Sequence, residues 1–209
     1  MNFTKRRFHA EFDDTLPRFP IRKSELDRFK FGKKWYYRIA SLEANKNLFC
    51  LDVGCGAKPF PKAHVLCDLY LTRVPDRRME NLVTQGKPFV LCDCHILPFK
   101  DKAFDFVTSY FLIEHIDYPG DLFKELKRVS KHGYIHCPSW INEIMYGEDV
   151  HKWIVIKLDE KLYVKPIDRK RFKLCFGFIF QKLYRLRTWQ LLHAILDETL
   201  HLFAVQYAF

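Results

Sequence analysis

Long apolar runs and biased segments are absent from the sequence, and each absence excludes a class of protein. The longest apolar stretches lie near 174–180, which is too short for a helix that needs about 20 apolar residues to span a bilayer. There is no internal repeat or low-complexity tract, and 48% of the residues are hydrophobic, which excludes wholesale disorder. Lys5, Arg6 and Arg7 have no apolar core behind them, unlike a secretory signal. We therefore expect a cytoplasmic protein.

The seven cysteines lack the spacing of a metal site or a disulfide framework. Cys92 and Cys94 form a pair, but no second ligand pair follows at zinc spacing. Most cysteines lie in or beside apolar runs: Cys50, Cys55, Cys67, Cys92, Cys137 and Cys175. A free thiol in such a place packs as a small hydrophobic side chain. We predict no metal and no disulfide.

The chain does contain a strand that stops in a glycine turn. Residues 50–56 are Cys-Leu-Asp-Val-Gly-Cys-Gly, in which strand-forming residues and one carboxylate precede Gly54 and Gly56. Glycine ends a strand without a steric penalty and lets the backbone approach a ligand, with free amide N–H groups directed at it. A short Gly-x-Gly turn also occurs without any ligand, so its neighbours decide its meaning.

Acidic residues follow the next two strand-like runs. The run 63–67 is followed by Asp68 and the run 89–92 by Asp93, and a fourth run covers 104–110. An acid at the end of the second strand of an α/β nucleotide-binding unit can accept hydrogen bonds from both ribose hydroxyls. The pattern predicts an open parallel sheet with a ligand at the carboxyl ends of its strands.

In this order the motifs resemble the class I S-adenosylmethionine-dependent methyltransferases, in particular the subgroup usually called type 11. The resemblance covers roughly 45–140 and includes Leu51-Asp52-Val53-Gly54-Cys55-Gly56, Asp68, Asp93, Leu97-Pro98-Phe99, Phe104-Asp105, Glu114-His115-Ile116, the helix-like 122–129 and Gly133-Tyr134-Ile135. It implies an α/β Rossmann-like class I methyltransferase fold, with a mainly parallel sheet flanked by helices, and S-adenosyl-L-methionine as the cofactor.

The resemblance also implies where the cofactor binds. The implied cofactor-binding residues are Asp52, Gly54, Cys55, Gly56, Asp68, Leu69, Asp93, Cys94 and Tyr110. The first turn would surround the methionine part, and Asp68 would hold the ribose hydroxyls. Asp93 would lie near the adenine amino group, with Cys94 or His95 beside the ring. Many members have a third glycine where this chain has Lys58, although others of the subgroup also lack it.

Several polar side chains after the fourth and fifth strands are candidates for the acceptor site: Glu114, His115, Asn142, Glu143, Tyr146, His151 and Trp153. Methyl transfer requires the reacting atoms to be aligned, and a hydroxyl nucleophile can also need a base. Histidine has a suitable pKa, and its position makes His115 the first choice as the catalytic residue. A packing or hydrogen-bonding role for His115 is the alternative that remains open.

The chain divides into a basic irregular arm, 1–23, and a single methyltransferase domain, 24–209, with a cofactor-binding core at 45–140 and a divergent part at 141–209. Helical spacing from Ser24 predicts a helix, and the resemblance implies that this helix covers one cofactor edge. A second helix begins at Pro119 and ends near Val129, with Lys131-His132-Gly133 as its end and 134–137 as the fifth strand. Residues 153–156 and 162–164 predict a hairpin, either the last antiparallel pair of the sheet or an addition that closes over the site. Apolar residues at helical spacing over 189–203 predict a final helix, and 169–187 is compatible with helix or strand.

The implied function is methyl transfer to oxygen or nitrogen of a small-molecule or sugar-containing (glycan-type) acceptor. A nucleic-acid methyltransferase is one alternative, because the net charge is +10 and aromatic residues are interleaved with the basic cluster at 169–171. However, Ser109-Tyr110-Phe111-Leu112 stands where base-amino methyltransferases have Asn or Asp, then Pro-Pro and an aromatic residue. The other alternative is a catalytically silent partner subunit, prompted by Lys58 and the divergent C-terminal half.

Overall fold

A six-stranded, mainly parallel sheet organises the computed structural model. The structure describes residues 48–145, 147–158, 161–168 and 204–209, together with Leu183, Leu186, Thr188, Trp189 and Leu192. The sheet strands are β1 (Cys50–Val53), β2 (Val65–Asp68), β3 (Phe89–Leu91), β4 (Phe104–Tyr110), β5 (Ser130–Pro138) and β8 (Ala204–Ala208). Their order is β3-β2-β1-β4-β5-β8, and only β8 is antiparallel to its neighbour. The predicted α/β fold class is confirmed.

After β3 the chain returns past β1, and the later strands are added on the opposite side of the sheet. It moves outward from β1 to β3 and then returns to place β4 on the other side of β1. This reversal is a topological switch point, and ligands of open α/β sheets bind beside the carboxyl ends of the strands at such a point. The glycine turn after β1 therefore lies where the fold favours a ligand.

The connection from β1 to β2 has no helix. Residues 54–64 cross with turns only, and Asp52, through its hydrogen bond with the Phe60 N–H, fixes the loop to the sheet. Parallel strands usually need a dozen or more residues and a helix for this crossover. Here the buried ring of Phe60 and the apolar side chains Cys55 and Ala63 cover the sheet face instead.

The helix α1 (Pro119–Val129) covers the opposite face of the sheet, as predicted. Proline stands in its first turn and Lys127 and Arg128 in its last turn, which suits the helix dipole. Leu122, Leu126 and Val129 are buried at spacings of four and three residues, on one helical face. They pack into the main core cluster with Leu51, Val53, Val107 and Ile135.

The end of α1 differs from the prediction. The helix ends at Val129 and β5 begins at the next residue, so Gly133 lies inside a strand rather than at the end of a helix. A Cβ on Gly133 would lie 2.2 Å from the Phe209 ring and 2.7 Å from the Val107 side chain. The glycine is therefore required by packing between strands and not by a left-handed turn.

The C-terminal part also differs in one respect. Strands β6 (Trp153–Leu158) and β7 (Lys161–Pro166) form the predicted hairpin as a separate two-stranded sheet, so they are not the last pair of the main sheet. The antiparallel neighbour of β5 is β8, a strand that the helical pattern did not indicate. Thr188, Trp189 and Leu192 have helical backbone, while the predicted N-terminal arm and first helix lie outside the described residues.

The described cysteines are free thiols, and Cys175 lies outside the described residues. Within the same described ranges, no helix is both long and apolar enough to cross a membrane.

We predict that Gly133→Ala destabilises the protein by about 1–3 kcal/mol, because the new methyl group overlaps a well-packed ring. Urea unfolding measures the change. Phe209→Ala removes the ring, so the same glycine substitution should cost less in that background. Equal costs in the two backgrounds would contradict the packing explanation.

Candidate functional site

The glycine turn after β1 has the backbone that its sequence predicts. Gly54 and Gly56 have φ angles of 73° and 52°, in the left-handed region. A Cβ on Gly54 would lie 2.9 Å from the Leu112 side chain, which comes from the turn after β4. Glycine thus allows the turns after β1 and β4 to touch.

The amide groups of this turn are not free, contrary to the expectation from sequence. The Gly54 and Cys55 N–H groups both donate to the Cys67 carbonyl, at 2.9 and 3.1 Å. The Gly56 N–H donates to Oδ2 of Asp68 at 3.0 Å. The turn can therefore offer a ligand close backbone contact, but these three donors are already used within the protein.

Asp52 is buried behind the turn. Its Oδ2 accepts a hydrogen bond from the Phe60 N–H at 2.7 Å, and its Oδ1 accepts one from the Thr108 hydroxyl at 2.9 Å. Burial raises the pKa of Asp52 to about 6, although both hydrogen bonds lower it. Asp52 therefore shapes the loop from inside.

Asp68 lies at the end of β2 and faces the turn. Besides the bond from Gly56, its Oδ1 accepts from the Tyr70 N–H at 3.0 Å. Each carboxylate oxygen can accept more than one hydrogen bond, so these amides orient the group and leave acceptor capacity for two hydroxyls. Leu69, the next residue, is 46% exposed and open to contact.

Asp93 and His95 form a second polar group beside Asp68. The Cys92 N–H donates to the Asp68 carbonyl at 3.0 Å, which keeps the ends of β2 and β3 together. Oδ1 of Asp93 accepts from the His95 N–H at 2.9 Å and lies 2.5 Å from His95 Nδ1. The backbone bond and the neighbouring imidazole lower the pKa of Asp93, although its slight burial opposes them. The His95 ring packs edge-on against Tyr118, with centroids 5.8 Å apart.

Two other predicted cofactor residues face the protein interior. Cys55 is 5% exposed and packs in the apolar cluster with Phe60. Tyr110 stacks on Phe60 and lies 5.6 Å from the His136 ring. Cys94 is partly buried, and burial raises the pKa of its thiol to about 12, which keeps it protonated. Cys55 and Tyr110 thus pack beneath the site. Contacts of all three residues with a cofactor stay a prediction.

Arg77 is a site residue that no sequence motif indicates. It ends a single 3₁₀ turn, Pro75–Arg77, and its Cδ lies 3.5 Å from the position of a Cβ on Gly56. Nη2 donates to the Tyr70 and Thr72 carbonyls, while Nε and Nη1 are buried without a hydrogen-bond partner. Buried donors of a charged group are nearly always paired, so these two N–H groups are available to an anionic ligand.

His115 belongs to a buried group of titratable side chains. Its ring packs against His151, with centroids 4.7 Å apart, and Nδ1 of His151 lies 2.5 Å from Oε1 of Glu143. Glu114 is 1% exposed, and both of its carboxyl oxygens are buried without a hydrogen-bond partner. Burial and the neighbouring His151 lower the pKa of His115 to about 4, and burial raises the pKa of Glu114 to about 8.

The structure separates the remaining acceptor-site candidates. The Trp153 indole donates to the Ile116 carbonyl at 2.7 Å, which fixes the hairpin against the turn after β4. Asn142 lies in α2 (Trp140–Met145), and its N–H donates to the hydroxyl of Ser139 just before the helix, a capping contact. Tyr146 lies outside the described residues. The predicted candidates that come together are Glu114, His115, Glu143 and His151.

We predict a pH-dependent stability difference between the wild type and Asp52→Asn. Because folding raises the pKa of Asp52 from 3.8 to about 6, its contribution is fully present below pH 3.8 and is lost as the pH rises through 6. The variant cannot titrate, so the wild type should lose about 2 kcal/mol relative to it between pH 4 and pH 7. Urea unfolding at both pH values checks this, and a constant difference would refute it.

Comparison with known proteins agrees with this geometry. A family model for a methyltransferase domain, of type 11, matches residues 51–137. The segment covers β1 to β5 and contains the glycine turn, Asp68, Asp93 and Glu114-His115. The predicted family resemblance is therefore confirmed over this segment, and this resemblance implies S-adenosylmethionine as the cofactor.

Similar proteins include a sterol 4-C-methyltransferase of Caenorhabditis elegans, 27% identical over 60% of this chain. The chain spans 40% of that relative's length. A methyltransferase structure from Mesorhizobium loti is 16% identical, with 84% of this chain and 96% of that one covered and a TM-score of 0.47. A methyltransferase structure from Bacillus halodurans is 23% identical, with 51% and 52% covered and a TM-score of 0.38.

Proposed function

We propose that the chain, which carries a methyltransferase domain over 51–137, transfers a methyl group to oxygen or nitrogen of a small-molecule or sugar-containing acceptor. When bound, S-adenosylmethionine supplies a methyl group on a sulfonium. The observation that carries the proposal is the convergence of Asp68, the glycine turn and Arg77 at the switch point of the sheet. The Asp68 carboxylate can accept hydrogen bonds from the ribose hydroxyls. The close backbone of the turn and the Arg77 cation suit the amino-acid part of that cofactor.

Arg77 is the proposed partner of the cofactor carboxylate. Its Nε and Nη1 carry N–H groups that point to different sides of the guanidinium, so a carboxylate can accept a charge-assisted hydrogen bond from one of them. Its side chain lies over Gly56, and Nη2 is held by two backbone carbonyls, so the guanidinium group is already oriented. A carboxylate in this place would satisfy one of the two buried donors.

The acceptor is proposed to carry an apolar part. Large apolar side chains are exposed in the loops that follow β2, β3 and β4 and in α2, which follows β5: Leu69, Tyr70, Leu71, Met79, Ile96, Phe111, Tyr118, Trp140 and Ile144. Exposed apolar side chains of this kind suit a partly apolar molecule. For this reason a sterol-like acceptor is a second candidate, supported also by the name of the nematode relative.

His115 is the proposed base. A histidine whose pKa lies near 4 is neutral at pH 7 and can accept a proton from an acceptor hydroxyl at Nδ1, which is buried and has no hydrogen-bond partner. The turn that carries it touches the first glycine turn through Leu112 and Gly54. This contact supports a position beside the methyl-donating end of the cofactor.

We predict that Asp68→Ala weakens binding of S-adenosylhomocysteine more than tenfold, because a charge-assisted acceptor is worth on the order of 1.5–3 kcal/mol. Calorimetric titration measures the affinity. Asp105→Ala is the matched control, since Asp105 also accepts a backbone N–H, from Phe49, but lies at the amino end of β4. Unchanged affinity in Asp68→Ala would show that the ribose assignment is wrong.

We predict that Arg77→Ala weakens S-adenosylhomocysteine binding roughly tenfold or more but leaves binding of 5′-methylthioadenosine unchanged. The second ligand lacks the amino-acid part, so loss of a contact to the cofactor carboxylate weakens only the first. Arg78→Ala removes the same charge from the adjacent residue, which instead pairs with Glu148, and serves as the control. Equal weakening of both ligands would contradict the carboxylate assignment.

Labelled methyl transfer tests the acceptor class. The protein is incubated with S-adenosylmethionine carrying a deuterated methyl group and with separate fractions of polar metabolites, lipids and RNA. Labelled products are then detected by mass spectrometry. Label in polar metabolites supports the first acceptor class, and label in sterol-like lipids supports the second. Label in RNA would replace the proposal by the nucleic-acid alternative. Cofactor binding without label in any fraction would favour the silent subunit.

A further inference from the structure

We propose that Glu114, His115 and His151 form a binding site for one divalent transition-metal ion. One ligand atom of each residue lies within 4.8 Å of the others, and the three side chains come from the turn after β4 and the segment before β6. Two imidazoles and one carboxylate are the donor set of many zinc and iron(II) centres, in which the remaining positions stay open. The prediction of no metal rested on the cysteine spacing, which this cluster does not involve.

The carboxyl group of Glu114 is the independent observation that indicates a ligand. It is 1% exposed, and neither oxygen has a hydrogen-bond partner. A buried polar group without a partner is costly, and buried carboxylates are normally paired or bound to a metal. An ion between Glu114 and the two imidazoles would satisfy it.

Glu143 gives His151 the support that metal-binding histidines usually have. Its Oε1 lies 2.5 Å from Nδ1 of His151, and Glu143 is 3% exposed. A carboxylate that accepts a proton from the other ring nitrogen fixes a metal-binding imidazole and raises its basicity as a ligand. With an ion bound, the arrangement would be a carboxylate–histidine–metal triad.

The charges around the cluster also favour a cation. Glu114, Glu143 and Glu148 all face His151, and Oε2 of Glu148 lies 3.9 Å from its Nε2. Arg78 pairs with Glu148 at the exposed side, and Asp76 faces His115. Without Glu114, three carboxylates (Asp76, Glu143 and Glu148) stand against one cation (Arg78), and this negative balance attracts a divalent ion.

The ion would lie at the acceptor side of the proposed cofactor site. Leu112, three residues before His115, contacts the turn at Gly54. With an ion bound, His115 would be a ligand instead of a base, and the metal would lower the pKa of an acceptor hydroxyl bound at an open position. This role rests on the proposed function, whereas the metal site itself does not.

Cobalt titration tests the site, because Co²⁺ reports its ligands in its visible spectrum and substitutes for Zn²⁺. The full chain is treated with a chelator and then titrated. We expect one equivalent bound, with visible bands and no intense thiolate band, and displacement by Zn²⁺. Glu114→Gln and His151→Ala should abolish these bands, and Glu143→Gln should weaken binding about 10–100-fold.

His95→Ala is the matched control, because Asp93, Cys94 and His95 form the other possible ligand cluster in the described part of the chain. That cluster contains a thiol and would produce an intense near-ultraviolet band. Bands that disappear in His95→Ala and persist in Glu114→Gln would overturn the proposal. Absence of Co²⁺ binding by a protein with folded circular dichroism would also overturn it. Calorimetry with S-adenosylhomocysteine on the same sample tests the cofactor site separately.

Discussion

The buried carboxylate of Asp52 holds together the parts on which the rest of the structure depends. It accepts one hydrogen bond from the loop that leaves β1 and one from Thr108 in β4. The chain crosses from β1 to β2 without a helix, so the loop lacks the backbone hydrogen bonds that a helix would supply. Asp52 replaces some of them from inside. Burial still raises the pKa of Asp52 to about 6, so these two hydrogen bonds offset only part of the cost of burying its charge.

Three functional groups share the edge of the sheet that Asp52 organises. Asp68 fixes the glycine turn through the Gly56 amide, Arg77 lies over the same glycine, and the acid–imidazole cluster follows β4. Contact between Leu112 and Gly54 brings the third group next to the first two. The proposed cofactor contacts and the proposed acceptor site thus lie on neighbouring turns, as expected for a sheet with its switch point at β1 and β4.

Sequence predicted the strands and acids best where local pattern and tertiary structure agree. The fourth strand is predicted with the bounds it has, because its apolar and β-branched residues are buried between two covered faces. Gly133 was misassigned because a glycine after cations resembles the end of a helix, while its actual cause, the Phe209 ring, is 76 residues away in sequence. Arg77 lacks a motif for a similar reason, since only the folded loop places it over Gly56.

The short crossover between β1 and β2 has a consequence for folding. Pairing these strands closes a loop of eleven residues, 54–64, whereas pairing β5 with β8 must close one of sixty-five, 139–203. The entropy lost on closure grows with loop length, and contacts between distant residues form slowly. We therefore expect the edge that carries Asp52 and Asp68 to assemble early. The antiparallel edge would close late, so the order of assembly runs from the cofactor turns outward.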